Sequence, residues 1–202
     1  MSPQPDCGFA PDSSCPAVLR EKGVIHLVFG RDFTTREETE GDLLLRSING
    51  GVGSNVVTAE AEALMYATSQ GLEAAQAAWA ALPPAERDLL TLLEEPAQPG
   101  CLRVQALGTA GHASLPELCD NALSRLLRYL AMLPLAATEE AAFAQAAARL
   151  LAQDDAGTGL NIAGADDVST LTAVLSILNL DENQARLHID IRYPVSGQED
   201  FY

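Results

Sequence analysis

The sequence predicts an α+β fold with helices packed on an antiparallel sheet, and three features carry that expectation. Leu102, Val104 and Ala106 alternate with Arg103 and Gln105, and Leu187, Ile189 and Ile191 alternate with His188, Asp190 and Arg192. That period-two pattern belongs to strands with one wet face. Leu123, Leu126, Leu127, Leu130 and Leu133 instead recur at helical spacing. The strand and helix patterns follow one another without strict β-α-β alternation, which argues against a doubly wound parallel sheet.

In chain order, residues 1–16 carry prolines at 3, 5, 11 and 16 and read as loop. Residues 24–29 form a β-rich run with few polar residues, the mark of a buried strand. The charged stretch 30–41 reads as a hairpin or loop. Residues 43–48 read as a strand that stops at Asn49-Gly50-Gly51, strong turn chemistry. Residues 56–66 have helical composition, yet Ala59-Glu60-Ala61-Glu62-Ala63 alternates with period two, and the strand reading is preferred. Leu72, Ala75, Trp79 and Leu82 fall at helical spacing up to Pro83-Pro84, and residues 86–93 read as a shorter helix closed by Pro96. A glycine-bearing loop, 108–112, follows the strand at 102–106. Ser114-Leu115-Pro116-Glu117 has the form of a capping box for the leucine-striped helix, with Arg125 and Arg128 off the stripe. A helix through Phe143, Ala147, Leu150 and Leu151 comes next, then a Gly/Asp-rich loop over 154–167. Two late strands, 170–178 and 185–193, turn at Asp181-Glu182-Asn183.

A formal net charge of −16 over 202 residues makes a surface that repels phosphate backbones and anionic lipid, so nucleic-acid and membrane-surface roles are disfavoured. The longest uncharged apolar run, residues 130–137, is far short of the roughly 20 residues a spanning helix needs. No basic-then-apolar leader opens the sequence, and a cytoplasmic location is expected. Cys7, Cys15, Cys101 and Cys119 have none of the close spacings of a zinc ribbon or redox pair, and free thiols are preferred over a disulfide framework. His26, His112 and His188 lie far apart and form no local metal motif. Both ends are abrupt and read as cuts within a longer protein.

Four segments, in order, carry a resemblance. They are Gly8-Phe9-Ala10-Pro11-Asp12 leading to Glu21-Lys22-Gly23; Gly50-Gly51-Val52-Gly53-Ser54-Asn55; Gly111-His112-Ala113-Ser114-Leu115-Pro116-Glu117 with Asn121-Ala122; and Asp190-Ile191-Arg192-Tyr193-Pro194. Together they resemble the two-zinc dipeptidases related to bacterial dipeptidase V and the Xaa-His dipeptidases, which share a clan with aminoacylases and succinyl-diaminopimelate desuccinylase. The resemblance spans nearly the whole chain. It implies that residues 1–22 are the tail of a zinc-binding catalytic segment and 23–202 an inserted lid. That lid is expected to hold two ferredoxin-like lobes, antiparallel sheets with helices on one face. The lobe boundary is expected within about 100–165, and the second lobe is expected to be incomplete.

On local sequence alone Asp12 is an aspartate in a proline turn; the resemblance makes it a zinc ligand, a role its carboxylate suits. The resemblance also implies a His-x-Asp, a Glu-Glu pair carrying the general base and a terminal His, which these motifs do not supply. The isolated chain is therefore expected to bind no zinc tightly and to hydrolyse nothing, the intact enzyme holding two ions. His112 is either a solvent-facing loop histidine or, by the resemblance, the lid donor to the oxyanion of amide hydrolysis. Arg192 and Asn55 match positions that receive the terminal carboxylate and polar backbone of a dipeptide substrate. The plain alternatives are an Arg192–Asp190 pair on one strand face and a turn role for Asn55. Departures from the family pattern are the missing Pro-Asp after Asn55-Val56-Val57, Cys119-Asp120 in place of the usual glycine, and Thr109 in place of a lysine. Two other functions compete: the lid of an N-acyl amino acid deacylase of the same clan, and a free-standing ferredoxin-like module that binds a ligand or partner.

Overall fold

The computed structural model describes residues 21–34, 40–95, 98–167 and 169–194. Among the described residues, nine strands and four α-helices follow in the order β1 (Gly23–Asp32), β2 (Leu43–Gly50), β3 (Val56–Val57), β4 (Glu60–Ala67), α1 (Ser69–Ala80), α2 (Pro84–Arg87), β5 (Leu90–Glu94), β6 (Cys101–Leu107), β7 (Gly111–His112), α3 (Ala122–Leu130), α4 (Glu139–Leu151), β8 (Thr172–Leu180) and β9 (Gln184–Tyr193). Seven strands make one antiparallel sheet in the order β1-β9-β8-β2-β4-β6-β5, and β3 and β7 make a separate two-stranded ribbon. The predicted α+β class, with a large antiparallel sheet and helices against it, is the observed one.

The sheet order is compatible with two ferredoxin-like lobes fused edge to edge. β4, α1, β5, β6 and α3 follow the β-α-β-β-α path with strands in the order β4-β6-β5, and β2 fills the fourth place beside β4. β1, α4, β8 and β9 repeat the first part of that path in the order β1-β9-β8. The two halves meet at β2 and β8, through the pairs Ile48–Leu180, Asn49–Asn179 and Gly50–Leu178.

The core lies on one face of the sheet. Leu43, Leu45 and Ile48 of β2, Ala63 and Met65 of β4, Leu102 and Val104 of β6, and Leu175 and Leu178 of β8 all point into it. A bulge between Leu45 and Ser47, and another between Leu175 and Ile177, each restores the inward phase after one extra residue. α3 closes this face: Leu123, Leu126, Leu127 and Leu130 are fully or almost fully buried, as the leucine stripe predicts. Tyr129, on the same helix, donates its hydroxyl to the Ala75 carbonyl of α1 at 2.8 Å.

Three expectations are corrected. Residues 86–93 are not a helix: α2 is a single turn, and Leu90 and Leu92 pair with Ala106 and Val104 of β6. Pairing along a preformed strand outweighs the helix propensity of a four-residue stub. The helix cap is not Ser114 but Asn121, whose Oδ1 accepts from the Leu123 and Ser124 N–H groups at 3.0 and 3.4 Å. Residues 116–118 form a 3₁₀ turn instead. Finally, the run at 24–29 is a strand but not a buried one. β1 is an edge strand, with Val24, Val28 and Phe29 about half exposed; Phe29, on the helix side of the sheet, lines an apolar groove of about 190 Å³ together with Phe143, Leu150 and Ile189.

Candidate functional site

The face of the sheet opposite the helices carries the candidate residues. Alternation along β9 sends Leu187, Ile189 and Ile191 into the core, so His188, Asp190 and Arg192 face the other way. On β8 the same alternation points Val174 away from the core, where it packs against Val57 and Ala113 of the ribbon. Two hydroxyls pin the ribbon to β8: Thr58 donates to the Ser176 carbonyl at 2.8 Å and Thr172 to the Ala113 carbonyl at 3.3 Å. The Asn121 side-chain amide donates to the Leu175 carbonyl at 2.8 Å and fixes the segment between ribbon and α3.

Gly51 makes the entry into the ribbon possible. Its φ of +95° is costly for other residues, and a Cβ there would lie 2.2 Å from the Ser176 carbonyl oxygen. The chain then turns, with the Val56 N–H donating to the Gly53 carbonyl at 3.2 Å, and delivers Asn55 to the start of β3. His112 sits directly opposite Val56 in the ribbon, and the Ala113 N–H donates to the Asn55 carbonyl at 2.9 Å. Asn55, just before β3, and His112, on β7, are thus exposed neighbours.

The imidazole of His112 has a defined tautomer. Its Nδ1 accepts from the Ser114 N–H at 3.1 Å and lies 2.7 Å from the Ser114 hydroxyl. A backbone N–H can only donate, so Nδ1 is the acceptor and the ring proton resides on Nε2. A neutral histidine held this way offers a single outward N–H donor.

Arg192 joins this group through Thr172, which holds Ala113 with its hydroxyl and lies opposite Arg192 in the β8–β9 register. Its guanidinium donates from Nε to Asp190 Oδ1 at 2.6 Å and from Nη2 to Oδ2 at 2.9 Å. The alternative considered from the sequence, an Asp190–Arg192 pair on one strand face, is therefore present. It occupies only one edge of the guanidinium. The other edge, Nη1 with the second Nη2 hydrogen, meets no partner among the described residues. Asp190 is fully buried and accepts a third contact from His26 Nε2 of β1 at 3.0 Å.

Asp12 lies outside the described residues. Among those described, no three His, Cys, Asp or Glu side chains gather where they could hold a metal ion, so this surface by itself does not fit a zinc site. Cys101 and Cys119 are free thiols; burial pushes the Cys119 thiol above its ordinary range, and it donates to the Leu115 carbonyl. Arg125, which the stripe leaves off the apolar face, is buried nonetheless. It pairs with Glu86 at 2.8 Å and Asp120 at 2.6 Å and also donates to the Leu107 carbonyl. Burial opposes its charge, and the two carboxylates outweigh that, holding the guanidinium above its usual range. This is a structural buckle between α2, β6 and α3, away from the site.

Sequence reasoning assigned no site role to His26 or Thr172, and it read Ser114 only as a helix cap. The alternation of β9 marks the face that Asp190 shares with Arg192, but nothing in the local sequence says that β1 becomes the neighbour of β9 from more than 150 residues away.

No family model matches the chain. It is similar to a Staphylococcus aureus protein named "putative dipeptidase", with 27% identity over 199 residues covering 94% of this chain. A Staphylococcus haemolyticus protein of the same name is likewise 27% identical, over 192 residues. The chain spans about 40% of the length of these relatives.

Proposed function

We propose that the chain is the substrate-clamping lid of a two-zinc metallodipeptidase, with residues 1–22 as the tail of the zinc-binding segment and 23–202 as the lid. The observation that carries this reading is the His112 tautomer beside Asn55, on the sheet face that also holds Arg192. Similarity to proteins named as dipeptidases, over less than half their length, supports it.

Peptide-bond hydrolysis puts negative charge on the former carbonyl oxygen when water adds. The Nε2–H of His112 is a donor suited to that charge, and Ser114 prevents the ring from presenting its acceptor nitrogen instead. Arg192 receives the substrate carboxylate on its outer guanidinium edge, the inner edge being fixed by Asp190. Asn55 holds the polar backbone of the dipeptide. Metal ligation beyond Asp12, and the general base, fall to other segments of the enzyme. A net charge of −16 fits a small-molecule substrate better than nucleic acid or an anionic membrane. No helix among the described residues is long and apolar enough to cross a membrane. A cytoplasmic location remains part of the proposal.

The test is hydrolysis by two polypeptides, the 202-residue chain with added zinc and a longer one that includes the His-x-Asp and Glu-Glu segments. Only the longer one is expected to turn over dipeptides. Turnover by the chain alone would overturn the fragment reading. Activity of the longer one on N-acyl amino acids but not on dipeptides would establish the deacylase instead.

A further inference from the structure

We infer that His26 is a positioning residue, which acts through the buried carboxylate of Asp190 to aim the free edge of the Arg192 guanidinium into the site. The inference about geometry stands on its own; its catalytic meaning rests on the dipeptidase reading above.

Arg192 alone already neutralises Asp190, with two hydrogen bonds in the fork geometry the pair favours. Charge pairing therefore gives no reason for a third contact. Orientation does. An aspartate carboxylate turns about a broad, two-fold torsion, and a guanidinium bound to it turns with the carboxylate plane. His26 Nε2 meets Oδ2, the oxygen that also accepts from Arg192 Nη2, and it comes from the neighbouring strand rather than from β9 itself. Contacts from two strands hold the carboxylate plane fixed. The register enforces the approach: His26 is directly opposite Asp190, with Val24 opposite Arg192 and Val28 opposite His188.

Burial points the same way. Side-chain exposure falls from 45% at His26 to 15% at Arg192 and 0% at Asp190. Hydrogen bonds around a dry carboxylate are stronger than the same bonds in water, and a misplaced one costs more. The imidazole thus closes the solvent side of a polar triad whose far end is the recognition surface. No other charged side chain faces this triad from β8, whose residues opposite Arg192 and Asp190 are Thr172 and Val174.

Two measurements on the 202-residue chain test the geometry without any substrate. Long-range ¹H–¹⁵N spectra of the imidazoles are expected to find the His26 proton on Nε2; a neutral ring protonated only on Nδ1 would overturn the inference. The Arg192 Nε–Hε resonance is expected to be protected from solvent exchange, and His26→Leu should reduce that protection about tenfold, the loss of one hydrogen bond's worth of order. His26→Gln, which can place an amide nitrogen near the same point, should restore most of it. Unchanged protection in His26→Leu would overturn the inference, and the tautomer measurement stands if that variant fails to fold.

A kinetic arm in the longer polypeptide separates this inference from the functional reading. His26→Leu should raise KM about tenfold for dipeptides with a free C-terminus, with little change in kcat and little effect on amidated dipeptides. If the resonance responds but KM for the two substrate types moves equally, the positioning stands and the carboxylate-receiving role of Arg192 falls.

Discussion

Ser114 sets its backbone N–H, a donor at 3.1 Å, and its hydroxyl, 2.7 Å away, against the same nitrogen of His112. The pair is two residues apart, so the imidazole's chemistry is set by its own loop and does not wait for a partner domain. His112→Ala in the longer polypeptide should lower kcat by on the order of 10²–10³ with both metals retained. Ser114→Ala should cost much less, because the backbone N–H still holds the tautomer. Metal content measured alongside kcat checks the assignment: loss of a metal in His112→Ala would make the histidine a ligand.

Arg192→Ala should penalise free dipeptides far more than the same dipeptides with an amidated C-terminus, since only the former present a carboxylate to the guanidinium. Comparing kcat/KM for the two substrate sets decides it. An equal penalty would mean that the Asp190 pair is purely structural.

Leu127 is completely buried under α3, in contact with the sheet core. Leu127→Ala should therefore destabilise the chain by about 2–5 kcal/mol, read from denaturant unfolding. An unaltered midpoint would be incompatible with α3 closing the core.

Two adjacent aspartates should respond to pH in opposite senses. Burial pushes the Asp155 carboxyl up, and the charge of Asp154 adds to the effect. The folded state therefore disfavours ionised Asp155, and its contribution is fullest below the ordinary carboxylate range and lost as pH rises through the raised value. Hydrogen bonding to Thr158, together with backbone N–H groups of Ala156 and Gly157, holds Asp154 below its usual range. Its contribution is present above that range and lost as pH falls through the lowered value. Asp155→Asn should raise Tm near neutral pH and Asp154→Asn should lower it, both differences shrinking as the solution is acidified. Thermal melts of the two variants across the acid range test this; shifts of the same sign would contradict it.

Periodicity found most of the sheet and the central helix because those elements bury one face each. The stripe from Leu123 to Leu130 and the alternation of β6 and β9 are patterns that only one secondary structure can satisfy. Residues 86–93 failed for the opposite reason: Glu86, Arg87 and Asp88 favour helix locally, while Leu90 and Leu92 obey a strand that arrives later in the chain. Asn55, His112 and Arg192 were legible as candidates only through the resemblance. Their shared face depends on how β3, β7, β8 and β9 assemble. The His26–Asp190 contact is the clearest case of what a linear reading misses, since its register is written jointly by β1 and β9.

The narrow junction between β2 and β8 has a dynamic consequence. Ten residue pairs join β1 to β9 and eight join β8 to β9, whereas three join the two halves of the sheet. The shared core under α3 still ties the halves together, but the backbone ladder is thinnest at this seam, and amide exchange there is expected to proceed by local opening before complete unfolding. The amides of Ile48–Gly50 and Leu178–Leu180 would then exchange earlier than those of mid-β9. The ribbon carrying His112 is pinned to β8 by Thr58 and Thr172, so fraying at this seam would be felt first at Gly51 and the Asn55 turn.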